Sequence, residues 1–496
     1  MLKIDFICLI HNISKLRSIS ILSGPLLALL IWLFADLEPG NRQVTYMAGV
    51  AAWMCAWWFT EAVSFGVTAM VPVLMLPLFG IANVKDVAQQ YSDSIIFLFI
   101  GGFMLAFAIE KWNFHKRIAL KILSVVGKSP STVLFGVMAS TFLISNWISN
   151  TATTMMLFAA VLALVQETKK YIPHNSGKFA AALLLGLAFA ATIGGLATPV
   201  GTPPNMYFFK QFREAFTGDT SLNFFKWSLI GYPIAIIFLF MTYGVLNFYF
   251  LRNKVKLDIK QEYFSAAYKS LGRFTQEEKW IAGIFVSCIL LWLTRADIDF
   301  SFFTFRGWNR LFPRSEFIDD SFVALVAAIL LFVIPSAKNK GQGLLIWEDA
   351  KKLRYDIILM FGSGFALAYG FEVSGLSTWL ASSLTVLRGV HPILIIIGIC
   401  IVVTLISEFA SNIASIQLAI PVMIALQKDL EMSPLLLMMP ATFAASLGFM
   451  LPVATAANTI VFGTRMINIR DMLKVGFVLD LLGILVIAIL CYLYLL

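Results

Sequence analysis

Long apolar runs joined by short polar turns make up most of the chain, and their spacing predicts membrane-spanning helices. A helical span needs about 20 apolar residues. Runs of that order stand near 19–36, 44–62, 65–83, 94–110, 228–251, 280–295, 320–335, 356–373 and 473–495. Two stretches break the pattern. Ser145-Asn146-Trp147-Ile148-Ser149-Asn150-Thr151-Ala152-Thr153-Thr154 lies between apolar runs 132–144 and 155–165, each too short to cross alone. Ser407-Glu408-Phe409-Ala410-Ser411-Asn412-Ile413-Ala414-Ser415 lies in the same way between 392–405 and 416–426. A polar cluster between two short apolar arms predicts a re-entrant hairpin. Its tip is tolerated at membrane depth only inside protein or beside a wet cavity.

The two clusters are copies of one another. Ser149-Asn150 and Ser411-Asn412 stand 262 residues apart, and the same offset pairs Gly102-Phe103 with Gly364-Phe365, Leu105-Ala106 with Leu367-Ala368, and Glu110 with Glu372. Further on, Pro199-Val200-Gly201-Thr202-Pro203-Pro204-Asn205 matches Pro452-Val453-Ala454-Thr455-Ala456-Ala457-Asn458. Each half therefore carries one hairpin (131–167 and 390–427) and one interrupted helix (178–210 and 435–463). Matched broken segments in two halves of a transporter point to its binding site. The expected fold is an all-α polytopic membrane protein with about eleven transmembrane helices and two re-entrant hairpins.

Charge orients this layout. Of 37 Lys and Arg residues, 26 fall in the segments that are inside if the N-terminus is inside. The positive-inside rule then places the N-terminus in the cytoplasm and the C-terminus outside. On that layout the first hairpin enters from inside and the second from outside, so the repeats are inverted. Lys111, His115, Lys116, Arg117, Lys121 and Lys128 alternate with apolar positions, which predicts an amphipathic helix on the membrane surface. The mixed-charge segment 296–320 reads as a solvated outer cap.

Composition narrows the function. A chain of 496 residues that is 59% hydrophobic and 13% charged is no soluble domain, and a net charge of +9 confined to short loops does not suggest nucleic acid. Cys8, Cys55, Cys288, Cys400 and Cys491 are scattered without paired spacing, so neither a disulfide frame nor a metal cage is expected. The apolar patch 6–10 is too short for a signal-peptide core, and the first span is expected to serve as the insertion signal. His11, His115, His174 and His391 have no catalytic partner in the pattern, so no enzyme is expected.

The chemistry concentrates at the tips. Asn150 and Asn412 each offer one carbonyl acceptor and two amide donors. Asn carbonyls, hydroxyls and free backbone carbonyls suit a monovalent cation, and helix N-termini suit a carboxylate. The blander alternative is that these Ser and Asn residues only hydrogen-bond packed helices. Gly201-Thr202-Pro203-Pro204-Asn205 ends one half-helix and starts another, proline being suited to a first turn. Its copy lacks both prolines, so that break rests on other residues or is gentler. Glu61, Glu110, Glu372, Glu408 and Asp480 are acidic at membrane depth and so are functional candidates. Glu408 stands one turn from Asn412, where its charge would tune a cation site.

At these residues the chain resembles the divalent anion/sodium symporter family, which includes sodium-coupled dicarboxylate, citrate and sulfate transporters. The resemblance covers nearly the whole chain. It rests on Trp57-Trp58-Phe59-Thr60-Glu61-Ala62, Ser149-Asn150-Thr151, Gly201-Thr202-Pro203-Pro204-Asn205, Ser407-Glu408-Phe409-Ala410-Ser411-Asn412 and Leu451-Pro452-Val453-Ala454-Thr455. It implies one sodium site from Ser145, Ser149, Asn150 and Gly201, and a second from Ser407, Ala410, Asn412 and Ala454. Substrate carboxylates would meet Asn150, Thr151, Thr202, Asn412 and Thr455. It also implies a homodimer in the plasma membrane or a bacterial inner membrane, with sodium as coupling ion and no organic cofactor. A transport domain would slide elevator-fashion against a scaffold. On that scheme 1–18 is a cytoplasmic segment, 19–130 and 252–389 hold scaffold, and 131–251 and 390–496 are the two transport-domain halves.

There are three departures from the family pattern: Ile413 for Thr, Ala456-Ala457 for Pro-Pro, and Ser407 for Thr. Ile413 removes a hydroxyl from the substrate side of the second repeat, unless it faces the hairpin interior and only packs. The leading reading is a sodium-coupled importer of a small anion, most simply a C4-dicarboxylate such as succinate. A sodium-independent exchanger of the same fold, or a symporter of sulfate, citrate or a monocarboxylate, stands as the alternative.

Overall fold

The computed structural model describes residues 2–126, 129–169, 176–216, 222–252, 262–299, 303–383 and 387–495. The chain opens with α1 (Leu2–Phe34) packed along α2 (Arg42–Thr60). The expected span 65–83 is instead split into α3 (Phe65–Thr68) and α4 (Val71–Leu78), because Pro72 in the first turn of α4 cannot extend a preceding helix. Then come α5 (Val84–Gln89), α6 (Ser94–Lys111) and α7 (Phe114–Val126). Asn113, at φ 57°, makes the sharp turn from α6 into α7.

The first hairpin is α8 (Pro130–Ser145) and α9 (Asn150–Lys169), followed by α10 (Ser176–Gly195), α11 (Pro203–Ala215) and α12 (Phe224–Leu246). The middle holds α13 (Glu262–Ser270), α14 (Gln276–Leu293), a two-stranded ribbon pairing Ile298–Asp299 with Thr304–Phe305, α15 (Asp320–Val333) and α16 (Trp347–Ala350). After α17 (Tyr355–Ser374) and α18 (Leu376–Ser383), the second hairpin is α19 (Pro392–Phe409) and α20 (Asn412–Leu430). The chain ends with α21 (Pro434–Ala444), α22 (Ala456–Phe462) and α23 (Ile469–Leu495).

The helix α10 is the centre of the molecule. Every residue from Phe179 to Gly195 is buried, against α8, α9, α12 and α22. The two halves cross over: α11, which follows the first break, packs on α20 of the second hairpin, and α22 packs on α9 of the first. Large apolar side chains such as Leu30, Phe240, Leu290, Ile329 and Phe477 remain exposed, as a lipid-facing surface requires.

Among the described residues, six helical stretches are long and apolar enough to cross a membrane: Val84–Lys111, Ser176–Gly195, Phe224–Leu251, Tyr355–Ser374, Pro392–Phe409 and Ile469–Leu495. Five coincide with expected crossings, and Pro392–Phe409 is an arm of the second hairpin. Shorter apolar stretches include α8 and Asn150–Gln166 of α9, the two arms of the first hairpin. The basic helix α7 packs on α8 and α13. Its Arg117, expected at a membrane surface, is buried and donates to Glu278 at 2.8 and 3.0 Å and to the Gly272 carbonyl at 3.0 Å.

Candidate functional site

Both hairpin tips are built to one plan. In the first, α8 ends at Ser145 and α9 begins at Asn150. Ser145 Oγ lies 2.6 Å from the Ala191 carbonyl of α10 and 3.0 Å from Asn150 Oδ1. In the second, Ser407 Oγ lies 2.6 Å from the Ala445 carbonyl and 3.1 Å from Asn412 Oδ1. A hydroxyl has one proton. Shared between two acceptors, it leaves one oxygen pair in each tip facing each other without a hydrogen between them. Such a set of close neutral oxygens fits a hard monovalent cation.

The helix breaks repeat the same wiring. Asn205 Nδ2 donates to the carbonyls of Gly195 at 2.9 Å and Thr198 at 2.8 Å. Asn458 Nδ2 donates to those of Gly448 at 2.8 Å and Leu451 at 3.1 Å. Both amide oxygens are buried without a hydrogen-bond partner. A second pair of unsatisfied oxygens at equivalent places strengthens the fit to a cation at each break.

The second break is not gentler than the first. Non-helical chain runs from 445 to 455, against 196 to 202 in the first repeat. Glu408 replaces the missing prolines: Oε1 accepts the Met450 N–H and Oε2 the Leu451 N–H, both at 2.9 Å. Its carboxylate therefore staples the hairpin to the break. Asp480 of α23 is buried beside it. At the equivalent position of the first repeat, Asn146 donates to the carbonyls of Phe142 at 2.8 Å and Gly194 at 3.0 Å and accepts from Tyr232 at 3.2 Å.

Between the tips lies a cavity of about 360 Å³. Asn150, Thr151, Thr202, Asn412, Ile413 and Thr455 all line it, together with Ser149 and Ala454. Ser145, Ser407, Gly201 and Ala410 lie behind it, buried. Ile413 is therefore among the lining residues, though it is largely buried and also packs in the apolar core. Glu110 also lines the wall, whereas its repeat counterpart Glu372 is exposed at the end of α17. Charge gathers at the rim, where Lys352 and Arg354 line the wall and Arg354 donates to Asp356 at 2.6 Å. Asp349 anchors the rim by accepting from Lys111 at 2.7 Å. Burial opposes ionisation of Asp349, but the Lys111 ammonium and the Ile346 N–H outweigh it and hold the carboxyl below its usual range.

Several site residues escape a reading of the sequence. A Cβ on Gly195 would sit 2.6 Å from Asn150 Oδ1, so only glycine lets α10 approach the first tip. The Ala191 and Ala445 carbonyls carry no side-chain signal at all. Asn205 and Asn458 do: they close the matched motifs, and their pairing in the repeat alignment marks them.

The family described as the sodium:sulfate symporter transmembrane region matches residues 19–496. The chain belongs to this family. It is 36% identical to a sodium-dependent dicarboxylate transporter, SdcS, of Staphylococcus saprophyticus, over 97% of this chain and 92% of that one. It is 38% identical to the SdcS of a bovine strain of Staphylococcus aureus, over 96% and 90% of the two chains. Its fold resembles that of Neisseria gonorrhoeae MtrF, whose structure is described as illuminating a class of antimetabolite efflux pumps; the TM-score is 0.55, identity 14%, and 83% of each chain is covered. This symporter-family chain is an integral membrane protein.

Proposed function

We propose that the protein is a secondary active transporter that couples sodium entry to the uptake of a C4-dicarboxylate, such as succinate, by alternating access. The observation that carries this reading is the meeting of two equivalently wired hairpin tips at one cavity. Sodium is cargo here. Ser145, Ser149, Asn150 and Gly201 would hold one ion, and Ser407, Ala410, Asn412 and Ala454 the other, partly through backbone carbonyls. The carboxylates would then meet Asn150, Thr151 and Thr202 on one side and Asn412 and Thr455 on the other. Among the described residues neither tip carries a Lys or Arg, and Lys352 and Arg354 line the cavity from outside the tips, so bound sodium would supply the positive charge that a dianion needs at the tips themselves. Binding of ion and anion is thereby interdependent, which is the basis of coupling.

In this reading the hairpins, interrupted helices, α12 and α23 move as one body against a scaffold of the remaining spans, and two copies form the functional dimer. The rim with Lys352 and Arg354 belongs to the side that the charge distribution assigns to the cytoplasm. The cavity then represents the inward-facing state, with the N-terminus inside, the C-terminus outside, and the protein in the plasma membrane or a bacterial inner membrane.

Uptake of labelled succinate into proteoliposomes, with and without an inward sodium gradient, tests the proposal. Accumulation should require the gradient. Sodium-independent flux that needs succinate already inside would instead identify an exchanger and overturn sodium coupling.

A further inference from the structure

The tips share their wiring but not their lining. Thr151 of the first repeat is half-buried and lines the cavity; its counterpart Ile413 also lines it, 8% exposed. The turns that enter the post-break helices differ in the same sense, Thr202-Pro203-Pro204 against Thr455-Ala456-Ala457, and all six residues line the wall. A carboxylate at the second tip still finds the Asn412 amide and the Thr455 hydroxyl. It lacks the second hydroxyl that Thr151 gives the first tip. A branched hydrocarbon stands in that place.

A surface of this kind discriminates by what the substrate carries next to its second carboxylate. A methyl group there is buried against Ile413, which stabilises binding about fourfold. A hydroxyl at the same carbon loses its water and gains no partner from isoleucine, a loss of roughly a further factor of ten. We propose that the cavity selects dicarboxylates bearing a small alkyl substituent beside the carboxylate at the second tip, and that Ile413 is the residue that sets this preference. The inference rests on the dicarboxylate reading above.

Methylsuccinate and malate make the matched test, since they share a four-carbon dicarboxylate backbone and differ by methyl against hydroxyl. Each is titrated as a competitor of sodium-driven labelled succinate uptake by the purified protein in proteoliposomes. In the unaltered protein methylsuccinate should inhibit at a concentration about tenfold or more below that of malate. Ile413→Thr should abolish or reverse the order, and Ile413→Val should keep it. Malate inhibiting as well as methylsuccinate in the unaltered protein overturns the inference, and that comparison needs no variant to fold. So does an Ile413→Thr protein that transports succinate with the original ratio. Absence of succinate uptake by the unaltered protein is a different failure: it overturns the dicarboxylate reading and takes this inference with it.

Discussion

The first break, at 196–202, is stiffened by Pro199 and by the Pro203-Pro204 pair that follows it; the second, at 445–455, keeps only Pro452 of these prolines. Yet Asn205 and Asn458 clamp the two breaks with the same pair of backbone bonds. The shape is held by backbone stiffness on one side and by the Glu408 carboxylate on the other. The difference teaches that the repeat preserves positions of oxygen atoms more faithfully than it preserves side chains. At the tip oxygens the copies agree, and along the cavity wall they diverge.

The most severe test of this equivalence is removal of the tip amides. Asn150→Ala and Asn412→Ala should each abolish uptake while the purified proteins remain monodisperse, because each removes an oxygen from a proposed ion site. Normal sodium-driven uptake by either variant would break the equivalence of the tips.

Glycine gives a sharper, asymmetric contrast. A Cβ at Gly195 meets Asn150 Oδ1 at 2.6 Å, whereas one at Gly448 meets the Ala454 methyl at 3.1 Å. Gly195→Ala should raise the sodium concentration for half-maximal uptake by about tenfold, the order of one lost hydrogen bond to a charged group. Gly448→Ala should change it much less. Equal effects would mean that the chain at Gly195 and at Gly448 approaches the two tips alike.

A smaller effect is expected from the staple. Glu408→Gln turns one backbone acceptor into a donor and should cost about 1.5–3 kcal/mol of stability, read as a lower unfolding midpoint in detergent. Asp480→Asn should cost little, because an amide there can donate towards Glu408 and keeps an oxygen on the Phe449 side. If Asp480→Asn proved the more damaging change, the carboxyl would have a role of its own.

The loop between the repeats supplies the control. Asp297 accepts from the Gly307 N–H at 2.9 Å and from Arg310 Nε at 3.0 Å, and these hold its carboxyl below the usual range. Its contribution is therefore present above the ordinary carboxylate range and is lost only as the pH falls below it. The protection factor of the Gly307 amide, taken against its intrinsic exchange rate at each pH, should fall only once the pH drops below that range, with protection at the tips unaffected.

Much of this arrangement can be read from the sequence. The hairpins and breaks are visible because polar clusters interrupt apolar runs at matched offsets, and a break in such a run has few physical explanations. What stays hidden has two causes. Glu408 gives no repeat signal, since Asn146 does the equivalent job with an amide and different bonds. Gly195 pairs with Gly448 in the repeat, but glycine is ordinary in a packed apolar helix and its necessity appears only with Asn150 against it. Arg117 misleads for a third reason. A basic residue on an amphipathic helix reads as water-facing until a distant Glu278 and the 271–273 carbonyls come into view.

The crossed seating of α11 on α20 and of α22 on α9 bears on how the molecule can be divided. Neither half owns a finished binding cavity, since each lends a wall to its sibling's hairpin. Cutting the connection within 252–261 should yield two fragments that are inert alone and active once synthesised together in one membrane. The peptide link there then acts as a counting device: it guarantees one of each half at every site, which two independent gene products would have to secure by matching their expression.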